Sequence, residues 1–334
     1  MFSRSHHQDG SNSSSRPHVV IVGAGFAGLE AAKALRTAPV RVTLVDRNNY
    51  HKFQPLLYEV AMAGLEPDDI AHNVRNIFQR SENVRFRLGT VVGLDRAAKQ
   101  LRLEDSDPLT YDMLILAAGA VTNDFGIPGV GQHGYPLKNV PDAVNLRNHV
   151  LRQFERYDRN RQTAGPGTLT FVIVGGGPTG VEMAGALVEL FDTLNDDFAA
   201  IDTHEEARCI LLEMQEDLLP PYQEHLRAYT RRILESRGVE VRTNTAVERV
   251  AADCVHLDDG SSIPSQTLVW AAGVKASPVA DLLDAERARD GRVVVAPDLL
   301  VPGYDDVYAV GDMAAIEGDD GYEPQLAQVA MQSG

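Results

Sequence analysis

The stretch HVVIVGAGFAGLEAAKAL, residues 18–35, decides the fold of this chain. A run rich in β-branched residues leads into Gly23-x-Gly25-x-x-Gly28, and Ala, Leu and Glu then follow at helical spacing. This order predicts a strand, a tight turn and a helix, which is the start of a βαβ unit in a parallel sheet. The same pattern returns in TFVIVGGGPTGVEMAGAL, residues 170–187.

Further segments repeat in the same order, which indicates an internal duplication. In both copies, alternating apolar and polar residues around Asp/Gly-rich turns predict an antiparallel meander before the last strand. We therefore expect an α/β fold with two Rossmann-like dinucleotide-binding domains, each a parallel sheet with helices and an antiparallel β-meander insertion. The repeated pairs are 83–95 with 238–250, 103–105 with 257–259, and 114–122 with 268–276.

The second copy is predicted to be inserted into the first. The segment GRVVVAPDLLVPGYDDVYAVGDMA, residues 291–314, has the pattern of a returning strand that closes the first sheet. The predicted divisions are a disordered tail at 1–16, a discontinuous first domain at 17–138 and 286–334, a connecting helix and linker at 139–167, and a second domain at 168–285.

Composition excludes several classes of function. The 334 residues include 31 Lys+Arg and 47 Asp+Glu, for a net charge of −16, and such a charge repels phosphate backbones, so no nucleic-acid partner is expected. Cys209 and Cys254 fall in separate predicted strands, which excludes a CxxC redox pair and gives no sign of a metal site. No uninterrupted run of about 20 apolar residues is present to predict a membrane-spanning helix.

The first glycine motif predicts a dinucleotide site. Its first glycine permits the tight turn, its second lets the backbone approach a pyrophosphate, and its third lets the helix pack on the strand. Asp46 ends the second predicted strand, where its carboxylate can accept hydrogen bonds from ribose hydroxyls. Strand, helix and acid together favour binding over a purely structural use of the glycines.

The second glycine motif repeats this logic with Glu213 as the acid. No arginine occurs at 214–217 to receive a 2′-phosphate, so NADH is expected in preference to NADPH. Two dinucleotide sites in one chain predict electron transfer between NADH and FAD. Gly311-Asp312 ends the returning strand, and an acid there can bind a polyol, which assigns FAD to the first copy. From the residues alone, an ordinary turn aspartate remains an equal alternative.

These motifs together resemble the two-dinucleotide-binding-domain flavoproteins of the glutathione-reductase type. Within that group, residues 51–61 (HKFQPLLYEVA), 175–187 and 327–334 (AQVAMQSG) are similar to the type II, or alternative, NADH:quinone oxidoreductases. The resemblance implies that FAD contacts Gly23, Ala24, Gly25, Phe26, Ala27, Gly28, Asp46, Arg47, Val91, Gly119, Gly311, Asp312, Ala327 and Gln328. It implies that NADH contacts Gly175, Gly177, Pro178, Thr179, Gly180, Glu182, Glu213 and Gly273.

Three residues are candidates for catalysis. Glu182 follows the second motif, and from sequence alone an acid favoured by the helix dipole is an equal alternative, since Glu30 occupies the matching place in the first copy. The resemblance implies that Glu182 faces the nicotinamide–flavin junction and affects turnover and proton delivery. It also implies that Gln328 and Gln332, one helical turn apart, line a quinone pocket, where neutral amides can donate hydrogen bonds to quinone carbonyls. A solvated helix face is the alternative for these two glutamines.

The resemblance implies a non-proton-pumping respiratory enzyme that transfers electrons from NADH through FAD to a membrane quinone. It further implies a peripheral location on the cytoplasmic face of a bacterial inner membrane, through a C-terminal region beyond residue 334, and a homodimer. Two other functions stay open. One is a soluble NAD(P)H-dependent flavoprotein reductase of a ferredoxin or oxygen. The other is a non-catalytic NADH-sensing flavoprotein. His51 and Tyr58 are assigned to packing.

Overall fold

A computed structural model describes residues 16–319 and 321–334. The predicted tail at 1–16 lies outside the described residues, apart from Arg16. The chain forms two compact units, and it passes repeatedly from one to the other. Among the described residues, the first unit comprises 16–51, 73–120, 276–319 and 321–334, and the second comprises Lys52–His72 and Val121–Lys275.

The first unit is built on a five-stranded parallel sheet. Its central strand His18–Val22 is buried along its whole length, as expected for an apolar strand covered on both faces. The helix Phe26–Ala34 begins within the glycine motif, directly after Gly25. The spatial order of the strands is Val307–Ala309, Met113–Leu116, His18–Val22, Arg41–Asp46 and Val84–Leu88.

An antiparallel meander precedes the last two strands of this sheet in the sequence, as predicted. It consists of Val91–Asp95, Gln100–Leu103 and Ser106–Thr110. The remaining helices of the unit are Val74–Ile77 and Ala327–Ser333, with 3₁₀ turns at Leu35–Thr37, Pro278–Leu282 and Gly311–Met313. Its short strands are Val293–Val294, Ala314–Ala315, Glu317–Gly318 and Gly321–Tyr322.

The second unit repeats this architecture, which confirms the predicted fold class. The spatial order of its parallel strands is Gly134–Pro136, Thr267–Trp270, Thr170–Val174, Arg208–Leu212 and Val239–Arg242. Its meander comprises Val247–Val250, Cys254–Leu257 and Ser262–Pro264. Its helices are Leu57–Ala61, Pro67–Ile70, Val130–His133, Val140–Arg159, Arg161–Ala164, Pro178–Asp197, Thr203–Glu206 and Glu224–Ser236, with a 3₁₀ turn at Gln54–Leu56.

Short strands lie where the chain passes between the units: Tyr50–Lys52, Ala71–Asn73, Ala120–Thr122 and Val274–Ala276. The sequence analysis placed all of 17–138 in the first domain, whereas residues 52–72 and 121–138 belong to the second compact unit. Residues 52–72 instead bury Leu57, Val60 and Ala61 in the core of the second unit. That core includes a stacked pair of rings, Phe154 and Phe171, whose centroids are 5.9 Å apart.

Among residues 16–319 and 321–334, no helix is both long and apolar enough to cross a membrane. Within the same residues, no group of three His, Cys, Asp or Glu side chains is arranged to hold a metal ion. The two cysteines lie in different strands of the second unit, as predicted. Cys209 is fully buried, and burial raises the pKa of its thiol, which keeps it in the unreactive protonated form.

Candidate dinucleotide-binding and active site

Asp46 fixes the first glycine loop from the end of the neighbouring strand. The Ala24 N–H donates to Asp46 Oδ2 at 2.7 Å, and the Asn48 N–H donates to Asp46 Oδ1 at 2.7 Å. Each carboxylate oxygen has a second acceptor position available. Asp46 can therefore fix the loop and still accept hydrogen bonds from a ribose.

The three glycines of the first motif meet different surroundings. A Cβ on Gly28 would lie 1.8 Å from the Gly23 carbonyl oxygen, and a Cβ on Gly23 would lie 2.2 Å from the Ala117 oxygen. The fold itself therefore requires these two glycines. A Cβ on Gly25 would meet nothing within 4 Å, and no side chain caps the helix that begins after it. This open cradle at a helix N-terminus fits the diphosphate of FAD.

His51 supports the same loop, in agreement with its predicted packing role. Its ring is buried and donates from Nδ1 to the Ala24 carbonyl oxygen at 2.9 Å. Its ring also meets Phe26 edge to face at 5.3 Å. Two other residues that the resemblance implies for FAD lie near strand termini: Arg47 is exposed immediately after Asp46, and Val91 is half-buried at the start of the meander.

Gly119 and Gly311 lie at the carboxyl ends of two neighbouring strands of the first sheet. Gly119 has φ +66°, and its carbonyl oxygen accepts from the Ser277 N–H at 2.9 Å. Gly311 has φ +64°, and a Cβ there would lie 2.9 Å from the Ala27 Cβ. Gly311, the residue before Asp312, is thus in close contact with the first turn of the helix Phe26–Ala34. This contact brings the two predicted FAD segments together.

The second glycine loop has nearly the same geometry. The Gly176 N–H donates to Glu213 Oε2 at 2.5 Å, and the Gln215 N–H donates to Glu213 Oε1 at 2.8 Å. A Cβ on Gly180 would lie 1.9 Å from the Gly175 carbonyl oxygen. Buried Glu213 thus fixes its loop as Asp46 does in the first unit, and it retains acceptor positions for a ribose.

The mouth of the second loop is also open. A Cβ on Gly177 would meet nothing within 4 Å, and the helix then begins at Pro178 without a side-chain cap. Pro178 and Thr179 are exposed. Gly273 follows the strand next to the motif, and the preceding residue Ala272 has its Cα 2.9 Å from where a Cβ on Gly175 would lie. The residues present fit a second dinucleotide.

Glu182 and Glu30 occupy matching places but have different surroundings. Glu30 forms an ion pair with Lys33 at 2.6 Å. The position that matches Lys33 in the second copy is Gly185. Within the described part of the chain, Glu182 forms no ion pair or hydrogen bond, and partial burial raises its pKa above the ordinary value. The structure thus distinguishes two glutamates that the sequence presents as equivalent.

We expect Glu182→Gln to raise the melting temperature at pH 8. Because the folded-state pKa is raised, the stability that Glu182 contributes is present below its ordinary pKa and is lost as the pH rises through the raised value. Glutamine imitates the protonated carboxyl group, so the difference in melting temperature between the variant and wild type should vanish near pH 4.

Thermal unfolding of both proteins across this pH range measures the effect. Glu30→Gln is the matched control, and it should lower stability by at most about 1 kcal/mol at pH 8, because it removes an exposed ion pair. A Glu182→Gln protein that is less stable than wild type at pH 8 would contradict the raised pKa of Glu182.

Gln328 and Gln332 lie one turn apart on the helix Ala327–Ser333, and both are exposed. This helix packs against the helix Phe26–Ala34 through small residues. A Cβ on Gly334 would lie 2.0 Å from the Ala27 oxygen, and a Cβ on Gly311 would lie 3.4 Å from the Ala330 Cβ. These close approaches fix the two glutamines relative to the first glycine loop.

Ser333 is a site residue that sequence reasoning missed. The Gly311 N–H donates to Ser333 Oγ at 3.0 Å, and the hydroxyl donates to the Ala330 carbonyl oxygen at 3.1 Å. Nearby, Gln325 Nε2 donates to the Asp312 carbonyl oxygen at 2.8 Å. The signal was present in AQVAMQSG, but the contact with Gly311 depends on the tertiary fold.

We expect Ser333→Ala to lower the free energy of unfolding by about 1 kcal/mol, because the Gly311 N–H loses its acceptor. Because the helix of Gln328 and Gln332 is loosened, the KM for a quinone, the acceptor that the sequence resemblance implies, should rise, and the KM for NADH should stay unchanged. Steady-state kinetics and thermal unfolding measure both effects.

Ser236→Ala is the control, because the Ser236 hydroxyl only donates back to the Ile233 carbonyl oxygen at a helix end. Equal changes in both KM values for Ser333→Ala would argue against a local role.

Comparison with known proteins agrees with this fold. Residues 17–334 match the family model described as pyridine nucleotide-disulphide oxidoreductase. The chain is 42% identical over 331 residues to the type II NADH:quinone oxidoreductase NdhA of Mycobacterium tuberculosis, which covers 95% of this chain and 69% of that protein. It is 30% identical over 330 residues to the type II NADH:quinone oxidoreductase of Staphylococcus aureus, which covers 96% of this chain and 80% of that protein.

Among solved structures, the Plasmodium falciparum NDH2 in complex with NADH is similar in fold. The TM-score is 0.83 at 23% identity, and the match covers 90% of this chain and 65% of that chain. The whole protein in each relative is thus longer than this chain. The chain belongs to the pyridine nucleotide-disulphide oxidoreductase family and, within it, to the type II NADH:quinone oxidoreductases.

Proposed function

We propose that this protein is an FAD-dependent oxidoreductase that takes two electrons from NADH and passes them to a membrane quinone without pumping protons. One observation carries the proposal: the two units have the same open glycine cradle, each fixed by an acid at the end of the next strand. Its relatives in M. tuberculosis and S. aureus are named type II NADH:quinone oxidoreductases, which supports the choice of donor and acceptor.

The residues of the first unit are suited to bind and orient FAD. The loop around Gly25 would receive the diphosphate, Asp46 the adenosine ribose, and Asp312 the ribitol chain. Bound there, the flavin supplies the redox chemistry, because an isoalloxazine accepts hydride and passes electrons on. The protein's contribution is alignment of the ring and exclusion of water around it.

The residues of the second unit are suited to bind NADH. Glu213 would accept hydrogen bonds from the ribose hydroxyls, and the loop around Gly177 would receive the diphosphate. Glu182 is the fifth residue of the same helix, just past its first turn. Because burial raises its pKa, its carboxyl retains a proton to a higher pH than an exposed glutamate does, which suits it to hold or deliver one.

Quinone recognition is assigned to Gln328 and Gln332. Both amides are exposed on one face of a short helix. An amide N–H₂ can donate to a quinone carbonyl without placing a charge in an apolar pocket, where an unpaired charge is costly. The loss of these donors should therefore affect the quinone step and leave flavin reduction by NADH intact.

The choice of acceptor is tested by mixing NADH-reduced enzyme with candidate acceptors under anaerobic conditions. We expect a short-chain ubiquinone or menaquinone to reoxidise the flavin faster than a ferredoxin does, since a net charge of −16 disfavours docking of an acidic protein. Faster reoxidation by ferredoxin, or by oxygen alone, would select the soluble-reductase alternative. A flavin that stays oxidised with NADH would select the NADH-sensing alternative.

We further propose that the enzyme acts at the cytoplasmic face of a bacterial inner membrane and that it forms a homodimer. Quinones reside in the bilayer and NADH in the cytoplasm, so an enzyme that uses both works at that surface. Fractionation of cells that express the protein tests the location, and sedimentation of the purified enzyme tests the dimer. Activity confined to the soluble fraction would contradict the membrane assignment.

A further inference from the structure

Phe125 is a bulky aromatic residue in an unfavourable place. The residue is 61% exposed, and its backbone has φ +51°, in the left-handed region that favours glycine. Neither feature adds to the stability of the fold, since an exposed ring gains little from burial and the backbone conformation is strained. Strain of this kind persists where the surroundings impose it, and it is concentrated at ligand-binding sites.

The surroundings of Phe125 impose its conformation. Buried Trp270 donates from Nε1 to the Asn123 carbonyl oxygen at 2.8 Å, and the Asn123 N–H donates to the Gly273 carbonyl oxygen at 3.3 Å. The Phe125 N–H donates to Asn123 Oδ1 at 3.0 Å. The loop is thus anchored to the end of the strand Thr267–Trp270 and to the residues that follow it.

The Phe125 ring lies directly on Gly273. A Cβ on Gly273 would lie 2.7 Å from Phe125 Cζ and 3.1 Å from Cε2. Gly273 in turn follows Ala272, whose Cα would lie 2.9 Å from a Cβ on Gly175, the first glycine of the second motif. A continuous set of contacts therefore joins the exposed ring to the mouth of the second glycine loop.

The order of strands indicates which half of a dinucleotide reaches this ring. Thr170–Val174, which leads into the glycine loop, lies between Arg208–Leu212 and Thr267–Trp270 in the sheet. Glu213 follows the first of these neighbours and marks the adenosine side. A dinucleotide whose diphosphate lies on the loop then extends its other half toward residues 271–273.

We propose that Phe125 covers the nicotinamide half of bound NADH, where its ring lies on Gly273. This inference rests on the proposed NADH site in the second unit. The ring would bury one face of the nicotinamide riboside and shield it from water, while Glu213 recognises the adenosine half. Phe125 is thus a binding residue for the part of NADH that reacts.

The test compares two ligands on the FAD-loaded protein by calorimetry. Tetrahydro-NADH is non-reducing and contains both halves of the dinucleotide, and ADP contains the adenosine half alone. Phe125→Gly should lower the affinity for tetrahydro-NADH about tenfold and change the affinity for ADP less than about twofold. Its melting temperature should equal or exceed that of wild type, because glycine adopts φ +51° without strain.

Phe125→Asn is a second variant that tolerates this backbone region, and it should behave in the same way. Tyr229→Ala is the control, because it removes an exposed ring from a helix of the same unit and should change neither affinity.

Unchanged binding of tetrahydro-NADH to both Phe125 variants would overturn the proposal, as would an equal loss of ADP binding. Wild-type protein that binds neither ligand would instead overturn the proposed NADH site, and the role of Phe125 with it.

Discussion

Replacing Gly177 with alanine should give a folded, yellow protein that no longer binds NADH tightly. The added Cβ meets no protein atom within 4 Å, so the fold accepts it. It occupies the space through which the backbone approaches the diphosphate, and the affinity for tetrahydro-NADH should fall about a hundredfold, or about 2.7 kcal/mol. Calorimetry on the FAD-loaded protein measures the loss, and the flavin spectrum shows that the first unit is intact.

Gly185→Ala is the matched control on the same helix. Its Cβ also meets nothing within 4 Å, but Gly185 lies in the helix interior, two turns past Gly177. Alanine there should raise stability by about 0.5–1 kcal/mol and leave NADH affinity unchanged. If Gly177→Ala bound tetrahydro-NADH as tightly as Gly185→Ala does, the second loop would not be the diphosphate site.

The matching change in the first unit, Gly25→Ala, should give a folded but colourless protein. A Cβ on Gly25 meets nothing within 4 Å, whereas a Cβ on Gly28 would lie 1.8 Å from the Gly23 carbonyl oxygen. Gly25→Ala should therefore block the FAD diphosphate and spare the fold, and the affinity for FAD should fall about a hundredfold or more. Gly28→Ala should impair both FAD binding and folding.

The measurement is the ratio of flavin to protein absorbance after purification, together with circular dichroism. Gly177→Ala is the control, since the same change in the other unit should retain a full complement of flavin. Purified Gly25→Ala with stoichiometric FAD would contradict the assignment of the first loop.

The parts of this fold that sequence predicts are those governed by local sterics. Gly28 is required by a contact within the loop, with the Gly23 carbonyl oxygen, and Gly23 by its φ of +107°, so their spacing alone predicts the turn. Asp46 and Glu213 are predictable because each ends a strand adjacent to its loop. The duplication strengthens both predictions, since the same arrangement occurs twice in one chain.

Other features depend on contacts between distant segments. Residues 52–72 continue the first unit in sequence, yet their apolar residues are buried in the core of the second. Ser333 accepts a hydrogen bond from the Gly311 N–H, and the Phe125 ring lies against Gly273. No local pattern distinguishes these residues from an ordinary serine or loop aromatic, because their partners are identified only by the tertiary structure.

Glu182 is an intermediate case. Sequence alone treats it as the equivalent of Glu30, but the duplication itself contains a distinguishing signal. Lys33 forms an ion pair with Glu30, and the matching position in the second copy is the uncharged Gly185. A comparison of the two copies position by position would therefore have singled out Glu182 as the unpaired acid.

The central claim is that one chain binds NADH and FAD in two duplicated units and transfers electrons from the first cofactor to the second. Anaerobic titration of the purified flavoprotein with NADH, followed through the visible absorbance of the flavin, tests this claim most directly. We predict that one equivalent of NADH bleaches the flavin band. A flavin band that persists in the presence of excess NADH would contradict the account.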